Sequence, residues 1–330
     1  MKKTILFLCL LLLLASCSGG GQAKQNTENQ AQGETAKAST EANNDEKQTE
    51  ATEKKRVYAS FFPVYDLTKR IVGEKMDVQM IMDVDSEPHS FELKINDMAK
   101  LADADLIIYN GAGMELFIDD LKQVIADERN QDADAFFLDL SQGLTLLKAD
   151  ESEDLSSINP HTWLSVKNAM IQLDTVYQKV SSMDPENDAY YKENLERALQ
   201  EFGALEQKMQ EELGKLTNRE KYFVTSHAAF NYLAYDYGLK QVAATGISPD
   251  LEPSAKELKD IADFVRSHGI KTIFFEGKAT PKVAETLAKE TGVKTATLYT
   301  MEHLSDEEAK MGYLKLMEHN LNELVKSFHE

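Results

Sequence analysis

The stretch VYASFFPVYDLTKRIVGEKMDVQMIMDVDSEPH, residues 57–89, contains a complete strand–helix–strand unit that ends in a histidine. Its apolar runs at 57–61 and 78–82 have the length of buried strands, and residues 64–72 repeat apolar side chains with the period of a helix. Alternation of this kind favours a parallel sheet covered by helices, so the stretch predicts an α/β fold. It also places His89 just beyond the carboxyl end of a strand.

The same alternation occurs on both sides of a helix-rich segment at 184–216. Further strands are predicted at 106–109, 136–138, 222–225, 241–244, 272–275 and 294–299. Further helices are predicted at 96–101, 116–127, 228–237, 254–268, 281–291 and 306–328, with another that starts near Ser165. Two such sets predict two (β/α) lobes with parallel sheets, residues 56–183 and residues 217–330.

Residues 184–216 predict one long rigid helix between the two lobes. Strong helix formers dominate this segment, and Pro185 suits the first helical position behind Asp184 as the cap. A helix of about 30 residues would span roughly 45 Å. A linker of this kind predicts limited hinge opening of the cleft between the lobes.

Composition limits the kinds of site that the folded part can carry. The chain has 330 residues, enough for roughly two domains of about 150 residues each. Its 36 Lys and Arg against 56 Asp and Glu give a net charge of −20. This sign argues against nucleic acid as a partner, because nucleic-acid binding relies on neutralising phosphates. Both cysteines, Cys9 and Cys17, precede the folded part, so any metal site there must use nitrogen and oxygen ligands.

The N-terminal segment predicts a lipid-anchored protein on the extracytoplasmic face of the cell membrane. Residues 1–16 have the charged start and short apolar run of a signal peptide, and Leu14-Ala15-Ser16-Cys17 resembles the bacterial lipobox, in which the cysteine is lipidated. An ordinary secretory signal is the alternative. Residues 17–55 lack large apolar side chains, which predicts a disordered tether behind the lipidated cysteine. A second polar stretch, residues 150–157, predicts a mobile surface loop.

Three of the seven histidines share one sequence context, which makes them candidate metal ligands. His89, His161 and His227 each follow a strand-like segment or open a helix. Because the carboxyl ends of strands line the ligand crevice in open α/β sheets, these side chains can converge between two lobes. Each also fits an ordinary turn or helix cap, and from the residues alone both interpretations stay open. Surface positions are predicted for His268, His319 and His329.

Four motifs in order carry a resemblance to a known family. They are Glu87-Pro88-His89, Asn159-Pro160-His161-Thr162-Trp163-Leu164, Ser226-His227-Ala228-Ala229-Phe230-Asn231-Tyr232-Leu233 and Gly246-Ile247-Ser248-Pro249-Asp250-Leu251-Glu252-Pro253-Ser254. Phe275-Glu276 and Met301-Glu302-His303-Leu304 fit the same plan. From about residue 57 to its end, the chain resembles the zinc-binding lipoproteins of metal ABC importers, the zinc-receptor branch of the cluster A-I substrate-binding proteins.

The resemblance implies two lobes joined by one long helix, with a metal ion bound in the cleft between them. The metal ligands that it implies are His89, His161, His227 and Glu302. Around the last of these the chain reads Thr300-Met301-Glu302-His303, where the zinc branch usually has proline and leucine before the glutamate and glycine after it. His303, Glu276 and a water molecule are therefore alternatives as the fourth ligand.

The expected function is zinc capture without catalysis. Three imidazoles and one carboxylate favour Zn²⁺ over Mn²⁺, because nitrogen-rich sites suit zinc while manganese prefers oxygen. The resemblance implies a monomeric receptor that delivers Zn²⁺ to an ABC permease and its ATPase. A Mn²⁺ or Fe²⁺ receptor of the same family is one alternative, and a zinc hydrolase with Glu276 as its base is another. A role as a surface adhesin is left open.

Overall fold

The structure is a computed structural model that describes residues 53–149, 158–217, 220–250, 253–276 and 281–330. The predicted signal peptide, Cys17, the tether up to residue 52 and the predicted loop at 150–157 lie outside the described residues. The strands are β1 (Arg56–Ala59), β2 (Asp77–Met80), β3 (Leu106–Tyr109), β4 (Phe137–Asp139), β5 (Tyr222–Thr225), β6 (Lys240–Ala243), β7 (Thr272–Phe275) and β8 (Lys294–Thr297). The α-helices are α1 (Phe62–Val72), α2 (Ile95–Leu101), α3 (Ile118–Arg129), α4 (Val166–Met183), α5 (Asp188–Gly214), α6 (Asn231–Tyr237), α7 (Ala255–His268), α8 (Pro281–Thr291), α9 (Asp306–Ala309) and α10 (Gly312–His329).

These strands form two parallel sheets of four strands each. The first sheet has the order β2-β1-β3-β4 and the second has the order β6-β5-β7-β8. In the first, Val57 of β1 lies opposite both Val78 of β2 and Leu106 of β3. The predicted α/β class with two parallel sheets is therefore confirmed. In each sheet the chain passes first to one side of its opening strand and then to the other, and such a switch point forms a crevice at the carboxyl ends of the strands.

The predicted long helix between the sheets is present as α5. It has 27 residues, which corresponds to about 40 Å at the usual rise of an α-helix. Its buried side chains recur every three or four residues, as in Leu195, Ala198 and Phe202, so one stripe of the helix faces the core. A 3₁₀ turn, Pro185–Asn187, precedes it. The prediction that the Asp184 side chain caps the backbone there is wrong, because that side chain accepts no backbone N–H of the turn. That carboxylate instead accepts hydrogen bonds from the side chains of Asn187 and Tyr191. The proposed lobe boundaries around this helix stay a prediction.

Two predicted helices differ from those observed. The single helix predicted at 306–328 is wrong, because residues 310–311 separate α9 from α10. Gly312, the first residue of α10, has a φ of 77°, which glycine adopts without strain. The helix predicted from residue 228 begins only at Asn231. Before it, Ala228 N–H donates to the carbonyl of Gly246 at 2.8 Å, so this segment is a turn beside the end of β6.

One apolar core contains side chains from β1 to α10, including residues that precede α5 in the sequence and residues that follow it. Trp163 lies in this core with 1% exposure, and its ring meets the ring of Phe61 edge to face at a centroid distance of 4.9 Å. Tyr313 of α10 stacks on Phe202 of α5 at 5.0 Å. The described segments therefore share buried side chains that tie the two sheets to α5. Within those segments, no helix combines the length and apolar character that crossing a membrane would require.

A buried carboxylate joins the carboxyl ends of β1 and β3. Glu115 accepts hydrogen bonds from the Ser60 hydroxyl at 2.6 Å and from the backbone N–H groups of Asn110 and Gly111 at 2.7 and 3.1 Å. The side chain of Asn110 in turn donates to the carbonyl of Pro160 at 2.8 Å. Burial raises the pKa of Glu115 to about 7, although these hydrogen bonds oppose the change. The network connects the first sheet to the segment that carries His161.

Glu115 gives the fold a pH-dependent component of stability. Because its pKa is higher in the folded than in the unfolded chain, the folded state holds the proton more tightly, and this stabilisation is lost as the pH rises through about 7. Relative to Glu115→Gln, the wild-type protein should lose about 2.5 kcal/mol of unfolding free energy between about pH 5 and about pH 8. Urea denaturation of both proteins across this range measures the difference. Parallel pH profiles for the two proteins would show that Glu115 is ionised throughout.

Candidate metal centre

His89 reaches the site from the segment that follows β2. It lies in a 3₁₀ turn, Pro88–Ser90, that begins after Glu87. A carboxylate oxygen of Glu87 accepts the backbone N–H of His89 at 3.1 Å, which satisfies a donor at the start of the turn. The side chain of His89 is 10% exposed, against 2% or less for His161, His227 and Glu302. His89 is therefore the member of the group that is most open to solvent.

His161 is oriented by the residue two positions before it. Asn159 Oδ1 accepts the backbone N–H of His161 at 3.0 Å and lies 2.8 Å from Nδ1 of the same residue. Because an amide oxygen only accepts, Nδ1 carries the hydrogen and Nε2 has a free lone pair. The Asn159 amide also donates to the carbonyl of Ala228 at 2.7 Å, beside His227. One side chain thus sets the tautomer of His161 and joins two segments that carry histidines.

His227 follows β5, and a carboxylate from the neighbouring strand supports it. Glu276 comes directly after β7, and its Oε1 lies 3.0 Å from the backbone nitrogen of Ser226 and 3.3 Å from that of His227. Its Oε2 lies 3.3 Å from His227 Nδ1. Glu276 therefore occupies the side of the imidazole that faces away from the other histidines, and His227 Nε2 faces them.

Glu302 completes the group from the segment after β8. It is 3% exposed and follows Met301, a fully buried residue whose φ is 66°. Leu304 N–H donates to the carbonyl of Val84 at 2.8 Å, which holds this segment beside the one that leads to His89. His303, the next residue, is half-buried and does not belong to the group that Glu302 forms with the three histidines.

The donor atoms of these four side chains lie within 4.8 Å of one another. The Nε2 atom of His161 is 3.3 Å from that of His89 and 3.4 Å from that of His227. Glu302 Oε1 lies 3.0 Å from His89 Nε2 and 2.9 Å from His161 Nε2, while Oε2 lies 3.4 Å from His227 Nε2. A tetrahedral zinc site with bonds of about 2.0–2.1 Å has ligand atoms about 3.3–3.4 Å apart. The distances of 3.3 and 3.4 Å match this spacing, whereas the two from Glu302 Oε1, 2.9 and 3.0 Å, are shorter, so the group has about the size of a tetrahedral shell without its regular geometry.

The charges in this cluster are strongly coupled. Burial lowers the pKa of His161 to about 4, against the opposing effect of Glu302. Burial would also lower the pKa of His227, but Glu276 and Glu302 outweigh it and raise that pKa to about 10. Burial would raise the pKa of Glu302, yet His161 and the other two histidines hold it well below its usual range. A cation bound by the three imidazoles and Glu302 would have to displace the proton that this raised pKa keeps on His227.

The structure separates the candidates that the sequence left together. It brings His89, His161, His227 and Glu302 into one group and places Glu276 behind His227. Sequence reasoning did not identify Asn159 as a support, although it lies inside the motif quoted for His161.

Of the three histidines predicted at the surface, His268 and His329 are exposed, whereas His319 is half-buried. His268 stacks on Phe264 with ring centroids 3.9 Å apart, and Nε2 of His319 lies 3.2 Å from the carbonyl oxygen of Thr297.

Comparison with known proteins gives a consistent result. The model of the family described as zinc-uptake complex component A, periplasmic (ZnuA), matches residues 57–327. The high-affinity zinc uptake system protein ZnuA of Bacillus subtilis (strain 168) is 36% identical over 287 residues, which are 83% of this chain and 88% of that protein. The zinc-binding lipoprotein AdcA of Streptococcus pneumoniae serotype 4 is 34% identical over 292 residues, which are 85% of this chain and 57% of AdcA. This chain thus spans little more than half the length of AdcA.

Solved structures show the same relationship. The crystal structure of the Zn(II)-bound ZnuA-like domain of Streptococcus pneumoniae AdcA superposes with a TM-score of 0.72 at 33% identity. The match covers 84% of this chain and 100% of that domain. The resemblance predicted from the four motifs is confirmed. The chain belongs to the ZnuA family of zinc-uptake components.

Proposed function

We propose that this protein is an extracytoplasmic receptor that captures Zn²⁺ and delivers it to an ABC importer. The observation that carries the proposal is the convergence of three imidazole nitrogens and one carboxylate within 4.8 Å. His89, His161, His227 and Glu302 are the proposed ligands. The relatives named as zinc uptake and zinc-binding proteins support zinc as the ion.

The chemistry of the donors favours zinc over the alternative metals. Imidazole nitrogen suits Zn²⁺, whereas a site for Mn²⁺ takes mainly oxygen ligands. The single carboxylate, Glu302, offsets one of the two charges of the ion. Glu276 lies behind His227, on the side away from the cluster. Its carboxylate, 3.3 Å from His227 Nδ1, can make this imidazole a stronger ligand.

The arrangement favours storage and transfer of an ion over catalysis. A hydrolytic zinc site keeps one position open for water, while four protein ligands close a tetrahedral shell. Glu276, the candidate base of the hydrolase alternative, faces backbone N–H groups and the far side of His227 rather than the centre of the cluster. We therefore propose a binding role without a catalytic one.

The origin of the ligands suggests how the ion is loaded and released. His89 and His161 belong to residues 56–183, and His227 and Glu302 belong to residues 217–330. We assign these two ranges to two lobes joined by the helix at 184–216. Any movement that parts them separates two ligands from the other two, and the permease that receives the ion would exploit such a movement.

We further propose that Cys17 carries a lipid that holds the receptor at the membrane beside its permease and ATPase. Leu14-Ala15-Ser16-Cys17 supports this assignment, as does the lipoprotein name of the pneumococcal relative. Acyl chains on one cysteine would give stable attachment, because two or more chains bind a bilayer firmly. The receptor acts as a monomer in this proposal.

The ligand set is tested by substitution and zinc calorimetry. Alanine in place of His89, His161 or His227 should each weaken zinc binding by more than the 10–100-fold typical of an outer-shell substitution. Glu302→Gln should weaken it less than any of these, because an amide oxygen is a poor but possible ligand. His303→Ala is the matched control and should change little. A larger effect of His303→Ala than of Glu302→Gln would assign the fourth position to His303.

The anchor is tested by Cys17→Ser expressed in a bacterium with lipoprotein processing. The variant should bind zinc as the wild-type protein does, since residue 17 precedes the folded segments. It should appear in the soluble or secreted fraction after cell fractionation, because it has no acyl chains. Recovery in the membrane fraction at the wild-type level would exclude lipidation of Cys17 as the anchor.

A further inference from the structure

We propose that Trp163 is a positioning residue for the fourth ligand: its indole N–H holds the turn that directs Glu302 toward the histidines. Trp163 is the single tryptophan of the chain, and it does not belong to the cluster of donor atoms. The inference rests on the proposed zinc site and adds a residue that controls its geometry.

Trp163 connects two segments that each carry a proposed ligand. It lies two residues after His161, in the 3₁₀ turn Thr162–Leu164, and its ring centroid is 5.3 Å from that of His161. Its Nε1 donates to the carbonyl of Thr300 at 2.7 Å, across 137 residues of sequence. Thr300 is two residues before Glu302. One side chain therefore links the backbone at His161 to the backbone at Glu302.

The turn that Trp163 holds is one that the chain would not adopt without support. Met301 has a φ of 66°, in the left-handed region that costs energy for side chains other than glycine. Its side chain is fully buried, and it lies between Thr300 and Glu302. Outside contacts must therefore stabilise this conformation.

Three contacts hold the turn in place. On one side, Asn320 Oδ1 accepts the N–H of Tyr299 at 2.7 Å and its amide donates to the Tyr299 carbonyl at 2.8 Å. On the other side, the backbone N–H of Leu304 donates to the carbonyl of Val84 at 2.8 Å. The bond from Trp163 acts at the residue directly before Met301. Of the three contacts, it is therefore the nearest to the strained residue.

Trp163 is itself fixed and can serve as a reference point for the turn. Phe61 packs edge to face against its ring, and the Tyr313 hydroxyl donates to its carbonyl at 2.5 Å. Loss of the indole N–H would leave the Thr300 carbonyl without this partner in a buried site. The turn would then relax, and Glu302 would leave the positions 2.9 and 3.0 Å from the Nε2 atoms of His161 and His89.

Trp163→Phe removes the donor and keeps an aromatic ring. We expect zinc affinity to fall about 10-fold, the lower end of the range for outer-shell substitutions. Tyr191→Phe is the matched control, because it also removes one hydrogen bond of a buried aromatic side chain, the bond from Tyr191 to Asp184. The zinc affinity of this variant should equal that of the wild-type protein. Calorimetry or competition with a chelating dye measures both variants.

A double-mutant cycle separates positioning from general destabilisation. If Trp163 acts through Glu302, Trp163→Phe should cost little further affinity in a Glu302→Ala background, where position 302 has no side-chain oxygen left to position. Equal losses in both backgrounds would overturn the proposal, as would unchanged affinity in Trp163→Phe. If instead Glu302→Gln alone leaves zinc binding intact, the proposed ligand set fails and not the role of Trp163 alone.

A second variant keeps the test decisive if Trp163→Phe does not fold. Benzothienylalanine at position 163 replaces only the indole N–H by sulfur and retains the two-ring shape. The same loss of affinity is expected, with the same dependence on Glu302. Wild-type affinity in this variant would show that packing, rather than the hydrogen bond to Thr300, places Glu302.

Discussion

The structure depends on one constraint: the Glu302 carboxylate is buried among three imidazoles that come from distant parts of the chain. A buried anion is costly unless partners compensate it, and these partners lie 75 to 213 residues away in sequence. The cluster can therefore exist only when the segments after β2, β5 and β8 and the segment that precedes α4 are all in place.

The topology explains why the side chains meet. Each sheet has its first strand flanked on both sides by later strands, and this arrangement opens a crevice at the carboxyl ends. His89 and His227 follow strands of the first and second sheet, and Glu302 follows the last strand of the second. Beside them, Asn159 accepts the backbone N–H of His161 and Glu276 accepts that of Ser226, so two of the three histidine segments are held by a nearby side chain.

Much of this could be predicted from local sequence, and the rest depends on distant contacts. The strands were predictable because short apolar runs such as 106–109 are bounded by polar turns. His89 and His227 follow such runs and His161 opens a helix, but the family resemblance was needed to select these three histidines as ligands. The break before Gly312 was not predictable, because a single glycine is tolerated within a helical pattern and its positive φ depends on tertiary packing. The bond from Trp163 to Thr300 spans 137 residues, and nothing near either residue indicates it. The conformation of Met301 is likewise a consequence of its surroundings.

In the proposed site, Glu302 and three histidines close a tetrahedral shell around one zinc ion. An anomalous difference map from crystals of the zinc-loaded protein, recorded at the zinc absorption edge, tests it most directly. We expect one peak with three imidazole Nε2 atoms and one Glu302 oxygen at about 2.0–2.2 Å. A peak whose fourth ligand is water, His303 or Glu276 would contradict it.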